Sequence, residues 1–238
     1  MFVCYGMFVT PIVFFLLGIS FGSFMNVLID RLPRGQTIWG RSHCDHCNKK
    51  LRWFELVPII SYIGQFGRCR RCHKRLSLQY PLIELTTGFG FLLLYPQYAF
   101  MIIFCALLVI FVADLKYQII PDSMILVGIL GALLSKPYFI PGIGAALFFL
   151  LLWIITKGRG MGLGDVKLGF LLGLFLGFPR IAFALYVAFL TGAIVGVILI
   201  LRKRAGLKSK IAFGPFLILG ALISILYETT IRTWFYSP

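Results

Sequence analysis

Two aspartates are the residues of this chain best suited to hydrolytic chemistry. Asp165 follows the glycine-rich run 160–164 and opens an apolar segment, and Asp114 lies near the end of another apolar segment some fifty residues earlier. A carboxylate at the end of a membrane segment is costly unless it is paired, hydrated or neutralised, so such residues are functional candidates. Two carboxyls that share one proton can act as base and acid in hydrolysis. We therefore expect Asp114 and Asp165 to be catalytic if their helices bring them together.

Small and charged neighbours surround the two acids in the sequence. Glycines at 160, 162 and 164 predict a slim backbone that is able to adopt positive φ at a helix entrance, where an extended substrate could approach; a flexible linker is the alternative. Lys116 and Lys167 could tune the acids or anchor their helices at the interface. Asp122, after Pro121, is predicted to cap the next helix.

Four of the six cysteines form two CxxC pairs with 21 residues between them: Cys44, Cys47, Cys69 and Cys72. This spacing predicts a tetrahedral thiolate site for structural Zn²⁺. Two disulfides or free thiols are the alternatives, and a reducing cytosol disfavours disulfides. Four thiolates leave no need for histidine ligands, so we expect these residues to lie outside the ligand set: His43, His46 and His73. Between the pairs, Trp53 is expected in the core of a small module and Glu55 on its surface.

The composition indicates an all-α polytopic membrane protein. Of the 238 residues, 60% are hydrophobic and the mean hydropathy is +0.94, well above the range of soluble domains. The net charge of +15 comes from basic residues that flank apolar runs, where they face anionic lipid and set orientation. This placement favours a lipid bilayer as the partner of the basic residues and argues against nucleic acid.

Eight membrane spans are predicted from the apolar runs. The first run is too long for a signal-peptide core and lacks a basic leader, so we expect it to be retained. The run 123–156 would make one helix far longer than the bilayer is thick, and its central prolines and glycine favour two short spans. The predicted spans are 8–28, 81–95, 98–114, 120–135, 139–156, 164–178, 181–201 and 213–231.

Charge asymmetry supports this count and gives an orientation. Eight spans put 20 of the 23 basic residues on one side, whereas a single span over 123–156 reduces the division to about 14 against 8. The loop 29–80 and the ends of the helices that carry Asp114 and Asp165 are then cytosolic. The predicted organisation is a first span (1–29), a cytosolic Cys4 module (30–80) and a membrane domain of about seven helices (81–238).

Several ordered motifs resemble one known family, the type IV prepilin peptidases. They cover about residues 18–170, and the last third of the chain is similar only in hydropathy. The matching segments are Gly22 to Pro33, the two cysteine pairs, Ser77 to Glu84, Asp114 to Asp122 and Gly160 to Leu168.

The resemblance implies a GxGD-type membrane aspartic peptidase of the bacterial plasma membrane, with its active site facing the cytosol. Asp114 and Asp165 match the catalytic aspartates of the family, which removes basic leaders from prepilins and pseudopilins used in pili, secretion or competence. Many members also methylate the new N-terminus with S-adenosylmethionine, an activity associated with the cysteine module. The chain departs from the family pattern at two places, Asp45 in place of a common proline and the missing asparagine in 53–58, and the second departure bears on the methyltransferase activity.

The sequence leaves open the roles of three other polar residues and two alternative functions of the protein. Glu84, inside a predicted span, is expected to bind substrate or S-adenosylmethionine, or to pair with a basic residue. Asn26 and Asp30 are one turn apart, with helix contact or a site role as the two interpretations. A proton-coupled secondary transporter and a non-catalytic, zinc-stapled assembly scaffold are the alternative functions. The sequence leaves the oligomeric state unknown.

Overall fold

The computed structural model describes residues 2–44, 46–158, 160–202 and 212–236, without the side chains of residues 2–9, 232 and 236. Over these ranges the regular structure is helical, with two isolated β-bridges and no strand. The helices are α1 (Phe2–Arg31), α2 (Ile60–Gly64), α3 (Gln79–Leu94), α4 (Tyr98–Tyr117), α5 (Asp122–Leu134), α6 (Phe139–Ile155), α7 (Leu163–Leu176), α8 (Arg180–Leu201), α9 (Gly214–Leu226) and α10 (Glu228–Tyr236), with a 3₁₀ turn at Trp53–Glu55.

Three of the described helices are long and apolar enough to cross a membrane: α1 from Thr10, α4 and α8. The pair α9 and α10 makes a fourth candidate if it counts as one broken span, and α5 and α6 are shorter apolar helices. The protein is therefore an all-helical membrane protein, and the count of eight spans stays a prediction. The predicted last span, 213–231, is divided, because α9 and α10 meet at 81°.

The predicted interruption of the long apolar run 123–156 is confirmed. Helix α5 ends at Leu134 and α6 begins at Phe139, with Lys136 in the left-handed region at φ 62° between them. The N–H of Tyr138 donates to the carbonyl of Leu174 in α7 at 2.8 Å. This hydrogen bond ties the turn between α5 and α6 to the end of α7.

The first compact unit, Met1–Met101, contains α1, the cysteine module and α3. Helices α1 and α3 pack closely at two glycines. A Cβ at Gly18 would lie 2.7 Å from the carbonyl oxygen of Thr87, and one at Gly22 would lie 2.7 Å from the Cα of Glu84. The absence of side chains at these positions therefore allows backbone contact between the two helices.

The second compact unit, Ile102–Pro238, is organised around α7, which contacts α5, α6, α8 and α9. Leu168, Leu171 and Leu172 of α7 are fully buried, as expected for a helix surrounded by others. The predicted division at residues 29 and 80 stays a prediction. The basic residues of 203–210, which contribute to the predicted orientation, lie outside the described residues.

Candidate active site

Asp114 is held near the C-terminal end of α4 and is 5% exposed. The carboxylate oxygen Oδ2 accepts a hydrogen bond of 2.9 Å from the backbone N–H of Gly214, the first residue of α9. Helix N-termini have N–H groups without intrahelical acceptors, so a carboxylate at this place satisfies a donor that would otherwise be unpaired.

Asp165 lies in the first turn of α7 and is 7% exposed. Its Oδ2 accepts the N–H of Gly162 at 3.0 Å, and its own N–H donates to the carbonyl of Gly162 at 3.2 Å. The glycines of the run 160–164 do not use the positive φ that they allow, since Gly162 is extended at φ −89° and Gly164 is helical. A Cβ at Gly164 would lie 3.1 Å from the Cβ of Ile120, a tight contact that would require Ile120 to shift.

The structure brings the two acids together. Asp114 and Asp165 are close enough to interact electrostatically. Ile120 lies beside both helix entrances: its side chain is 3.1 Å from an ideal Cβ on Gly164 and 3.5 Å from one on Gly214. Two buried carboxyls in such an arrangement favour a state with one shared proton, because like charges at short range cannot both ionise cheaply.

The neighbouring charged residues are engaged elsewhere. The Nζ of Lys167 donates to Oδ1 of Asp122 at 2.7 Å, an exposed ion pair of small expected stability. Lys116 lies over the ring of Tyr117, 5.2 Å from its centroid. The prediction that Asp122 caps α5 is wrong, because Pro121 is the N-cap and Asp122 is the first helical residue.

The four cysteines of the first unit converge on one point. Their sulfur atoms all lie within 4.8 Å of one another, with Cys44 to Cys72 and Cys47 to Cys69 each at 3.9 Å. A zinc ion with Zn–S bonds of about 2.3 Å holds its tetrahedral ligands about 3.8 Å apart. Disulfide bonds require about 2.05 Å, so the cluster fits a metal site and not two disulfides.

Two similar loops build this cluster. In the first loop, the N–H of Cys44 donates to the carbonyl of Lys49 at 3.0 Å, and the N–H of Asn48 donates to the carbonyl of Cys44 at 2.9 Å. The second loop repeats the pattern, with Cys69 donating to Lys74 and His73 donating to Cys69. Backbone N–H groups of Cys72 and Arg71 lower the pKa of Cys69 to about 6, whereas burial raises the pKa of Cys44 to about 11. The histidines are outside the four-cysteine ligand set.

Two predictions inside the module are wrong. Trp53, expected in the core, is 79% exposed, and Glu55, expected on the surface, is 7% exposed. Glu55 is buried with partners: Oε2 accepts the N–H of Arg52 at 2.7 Å, and Oε1 accepts from Lys49 at 3.2 Å.

A cavity of about 210 Å³ lies in the first unit, between the module and the ends of α1 and α3. Glu84 is 6% exposed at this cavity and accepts the N–H of Ile59 at 2.7 Å, so it is satisfied by backbone and by the Ser23 hydroxyl. Asn26 donates to the carbonyl of Tyr80 and accepts from Gln79, which ties α1 to α3. The polar lining includes Ser23, Asn26, Asp30, Tyr62, Tyr80 and Glu84, and the basic residues Arg31 and Arg34 also line the cavity.

Comparison with known proteins adds relatives over nearly the whole chain. The bacterial peptidase A24 N-terminal domain matches residues 16–98, and the type IV leader peptidase family matches residues 101–197. A prepilin leader peptidase/N-methyltransferase of Aeromonas salmonicida (strain A449) is 30% identical over 269 aligned positions, covering 94% of this chain and 92% of the relative. The protein of the same name from Bacillus subtilis (strain 168) is 31% identical, covering 94% and 96%. No solved structure gave a significant match.

The chain belongs to the type IV leader peptidase family.

The region that matches the type IV leader peptidase family, residues 101–197, contains both Asp114 and Asp165 and ends before α9. Gly214, which holds Asp114, therefore lies beyond the family match at residue 197. Sequence reasoning missed this residue. The available signal was Gly214-Pro215 at the start of an apolar run, since proline is common at helix starts and the N–H groups of a first helical turn have no intrahelical acceptor. Nothing in the sequence named an acceptor a hundred residues away.

Proposed function

We propose that this chain is a membrane aspartic endopeptidase that removes the leader peptide of type IV prepilins and pseudopilins. The observation that supports the proposal is the pair Asp114 and Asp165, buried and in electrostatic interaction, in a chain of the type IV leader peptidase family. Relatives named prepilin leader peptidase/N-methyltransferase support the same activity. Family membership does not favour the transporter or the scaffold.

The chemistry follows from two carboxyls with one proton. The ionised carboxylate removes a proton from a water, whose oxygen attacks the carbonyl carbon of the scissile peptide bond. The protonated carboxyl supplies its proton, which ends on the departing nitrogen as the C–N bond breaks. The products are the leader's new carboxyl terminus and the pilin's new amino terminus, and the pair again holds one proton.

The proposed topology places this reaction at the cytosolic membrane face of the plasma membrane. With eight spans, Asp114 and Asp165 are at the same, cytosolic end of their helices, and 20 of the 23 basic residues lie on that side. A basic leader would then remain in the cytosol while the following apolar segment lies among the helices.

The second proposed activity is N-methylation of the new amino terminus. The cavity of the first unit suits S-adenosylmethionine because its lining offers buried and half-buried acids for a sulfonium and an amine, and aromatic rings for an adenine. Glu84 and Asp30 would hold the cationic groups, with Tyr62 and Tyr80 beside the base. Bound S-adenosylmethionine supplies a methyl group that an amine can accept.

Zinc is the proposed occupant of the four-cysteine cluster. The sulfur spacing of 3.9 Å suits a tetrahedral thiolate site. The ion would stabilise a module of about fifty residues whose own core is small.

Processing of a co-expressed prepilin by Asp114→Asn and Asp165→Asn variants tests the peptidase. Each change removes one proton-transfer group at nearly constant size, so cleavage should fall by about 10²- to 10⁴-fold. The readout is the intact mass of the pilin, which reports leader removal and, as a further 14 Da, the methyl group.

Asp122→Asn is the matched control, because Asp122 pairs with Lys167 on the surface. Its cleavage should stay near that of the wild type. Folded Asp114→Asn and Asp165→Asn proteins that still process the prepilin would contradict the proposal.

A further inference from the structure

The start of α9 supplies one backbone donor that its own helix does not use. The N–H groups of Phe216 and Leu217 donate to the carbonyl of Phe213 at 3.1 and 3.2 Å, and Pro215 has no N–H. The N–H of Gly214 instead donates to Oδ2 of Asp114 at 2.9 Å. The first turn of α9 is thus arranged so that its free donor meets this carboxylate.

The contact has no room for a side chain. Gly214 and Pro215 are buried, and an ideal Cβ on Gly214 would lie 2.7 Å from Oδ2 and 3.4 Å from Cγ of Asp114. Real Cβ atoms do not approach an oxygen so closely, so any other residue would displace the carboxylate. Because α4 is a packed helix, the displaced group would be the side chain of Asp114 and not its backbone.

The same contact region includes the entrance of α7. Ile120 lies 3.5 Å from the ideal Cβ of Gly214 and 3.1 Å from that of Gly164, the residue before Asp165. The N-termini of α7 and α9 therefore approach one isoleucine, and each supplies a backbone donor to one of the two acids. Positive helix ends beside both acids favour retention of one negative charge on the pair.

We propose that Gly214 is a positioning residue of the peptidase, whose backbone N–H fixes the Asp114 carboxylate in the orientation that hydrolysis requires. The inference rests on the proposed function and adds a third element, α9, to the two aspartates. It also gives a role to a segment beyond the region matched by the family model. Gly214 acts through Asp114, so it should affect the rate of the chemical step and leave substrate binding unchanged.

An amide-to-ester exchange at residue 214 removes this hydrogen bond and also weakens the Phe213 carbonyl as an acceptor for Phe216 and Leu217, so it needs a control in the same turn. Cell-free translation of the full chain into lipid nanodiscs with glycolic acid in place of Gly214 removes the N–H and adds no side chain. Hydrogen bonds to charged groups are among the stronger ones in proteins, so kcat for prepilin cleavage should fall about 10- to 100-fold. KM should stay within about twofold, because the N–H does not touch the substrate.

The matched control is the same exchange at Phe216, whose N–H donates within the first turn of α9. It weakens the helix start equally and leaves the hydrogen bond to Asp114 in place, so kcat should stay within about threefold of the wild type. The side-chain variants Gly214→Ala and Gly192→Ala form a second pair, since a Cβ at Gly192 meets only ordinary contacts at 3.5 Å or more. Gly214→Ala should lose at least as much kcat as the ester, and Gly192→Ala should keep it.

The outcomes separate the two proposals. An active wild type whose 214 ester keeps its kcat, or loses no more than the 216 ester, contradicts the positioning role alone. A rise in KM as large as the fall in kcat also contradicts it, because that result indicates general loss of structure. A wild type that leaves the prepilin uncut contradicts the proposed function itself.

Discussion

The buried carboxylate of Glu55 shows how a single side chain organises the cysteine module. Its side chain is 2% exposed and accepts hydrogen bonds from the N–H of Arg52 and the ammonium of Lys49. Burial raises the pKa of Glu55, but these two partners lower it more, so the net pKa is below the ordinary value. A carboxyl whose pKa is lower in the folded than in the unfolded protein stabilises the folded state at pH values above its unfolded-state pKa. This stabilisation is lost as the pH falls through its folded-state pKa.

We therefore expect Glu55→Gln to destabilise the module by about 1–3 kcal/mol at neutral pH. The difference from the wild type should be constant from about pH 8 to 5.5 and should shrink only below about pH 4.5, where both side chains become uncharged. Hydrogen exchange of residues 49–58 in the full-length protein measures the effect. Glu228→Gln, at the acid that pairs with Arg180, is the control and should leave this segment unchanged. A difference that disappears between pH 7 and 6 would contradict the lowered pKa.

At the scale of single residues, the sequence predicted which side chains could do chemistry, but it did not predict which groups they hydrogen-bond. Asp114 and Asp165 are found from the sequence because charge in an apolar segment is costly and therefore conspicuous. The burial of Glu55 and the exposure of Trp53 reverse the expectation, because hydrophobicity alone does not reveal that two local donors satisfy the acid. The role of Gly214 depends on a hydrogen bond between residues one hundred positions apart, which no local pattern contains.

At the scale of helices, the position of Asp165 depends on close packing of α7 against α6. A Cβ at Gly173 of α7 would lie 2.6 Å from both the Cα of Gly142 and the carbonyl oxygen of Pro141. A Cβ at Gly169 would overlap the ring of Phe149, which is fully buried. Gly169 and Gly173, four residues and about one turn apart on α7, thus set the separation of the two helices.

Gly173→Ala should push α7 away from α6 and misplace Asp165 at the other end of the same helix. The obstructing atoms are backbone, so they cannot move aside, and we expect a loss of about 1–3 kcal/mol in stability. Prepilin cleavage should fall with it. Gly144→Ala in α6 is the control, because no atom lies within 4 Å of its Cβ and alanine is the better helix former. Thermal unfolding measures the stability of the two variants, and the rate of prepilin cleavage measures their activity. Equal stability and equal cleavage rates for Gly173→Ala and Gly144→Ala would contradict the packing argument.

The helices themselves were largely predictable, because hydropathy and helix breakers act locally. The interruption predicted in the run 123–156 lies at residues 135–138, which include Pro137, whereas Pro141 and Gly142 belong to the first turn of α6. The division between α9 and α10 was missed, since the apolar run continues through Leu226 and no proline or glycine marks the break. The glycines of the run 160–164 do not adopt the positive φ that they allow, and Gly164 instead makes a close approach, since a Cβ there would lie 3.1 Å from the Cβ of Ile120.

At the scale of the whole molecule, the two proposed chemistries belong to different compact units. The cysteine cluster and the polar cavity are in the unit Met1–Met101, and both aspartates are in the unit Ile102–Pro238. Cys44 and Cys69 line the cavity as well as the cluster, so a metal at the cluster would also hold the cavity wall. Loss of the metal should therefore affect methylation more than proteolysis.

Zinc removal tests this separation. We expect about one zinc per wild-type chain by elemental analysis and little in a Cys44→Ser, Cys69→Ser double variant, because two of four thiolates are then absent. Methylation of the processed pilin, read as the 14 Da increment, should fall more than about tenfold, while leader removal stays within about threefold. Cys105→Ser, at a cysteine of α4 outside the cluster, controls for the loss of a thiol and should change neither activity. A wild type without zinc would contradict the metal assignment. An equal fall of methylation and leader removal would contradict the separation of the two activities, because the unit that carries Asp114 and Asp165 has none of the four cysteine ligands.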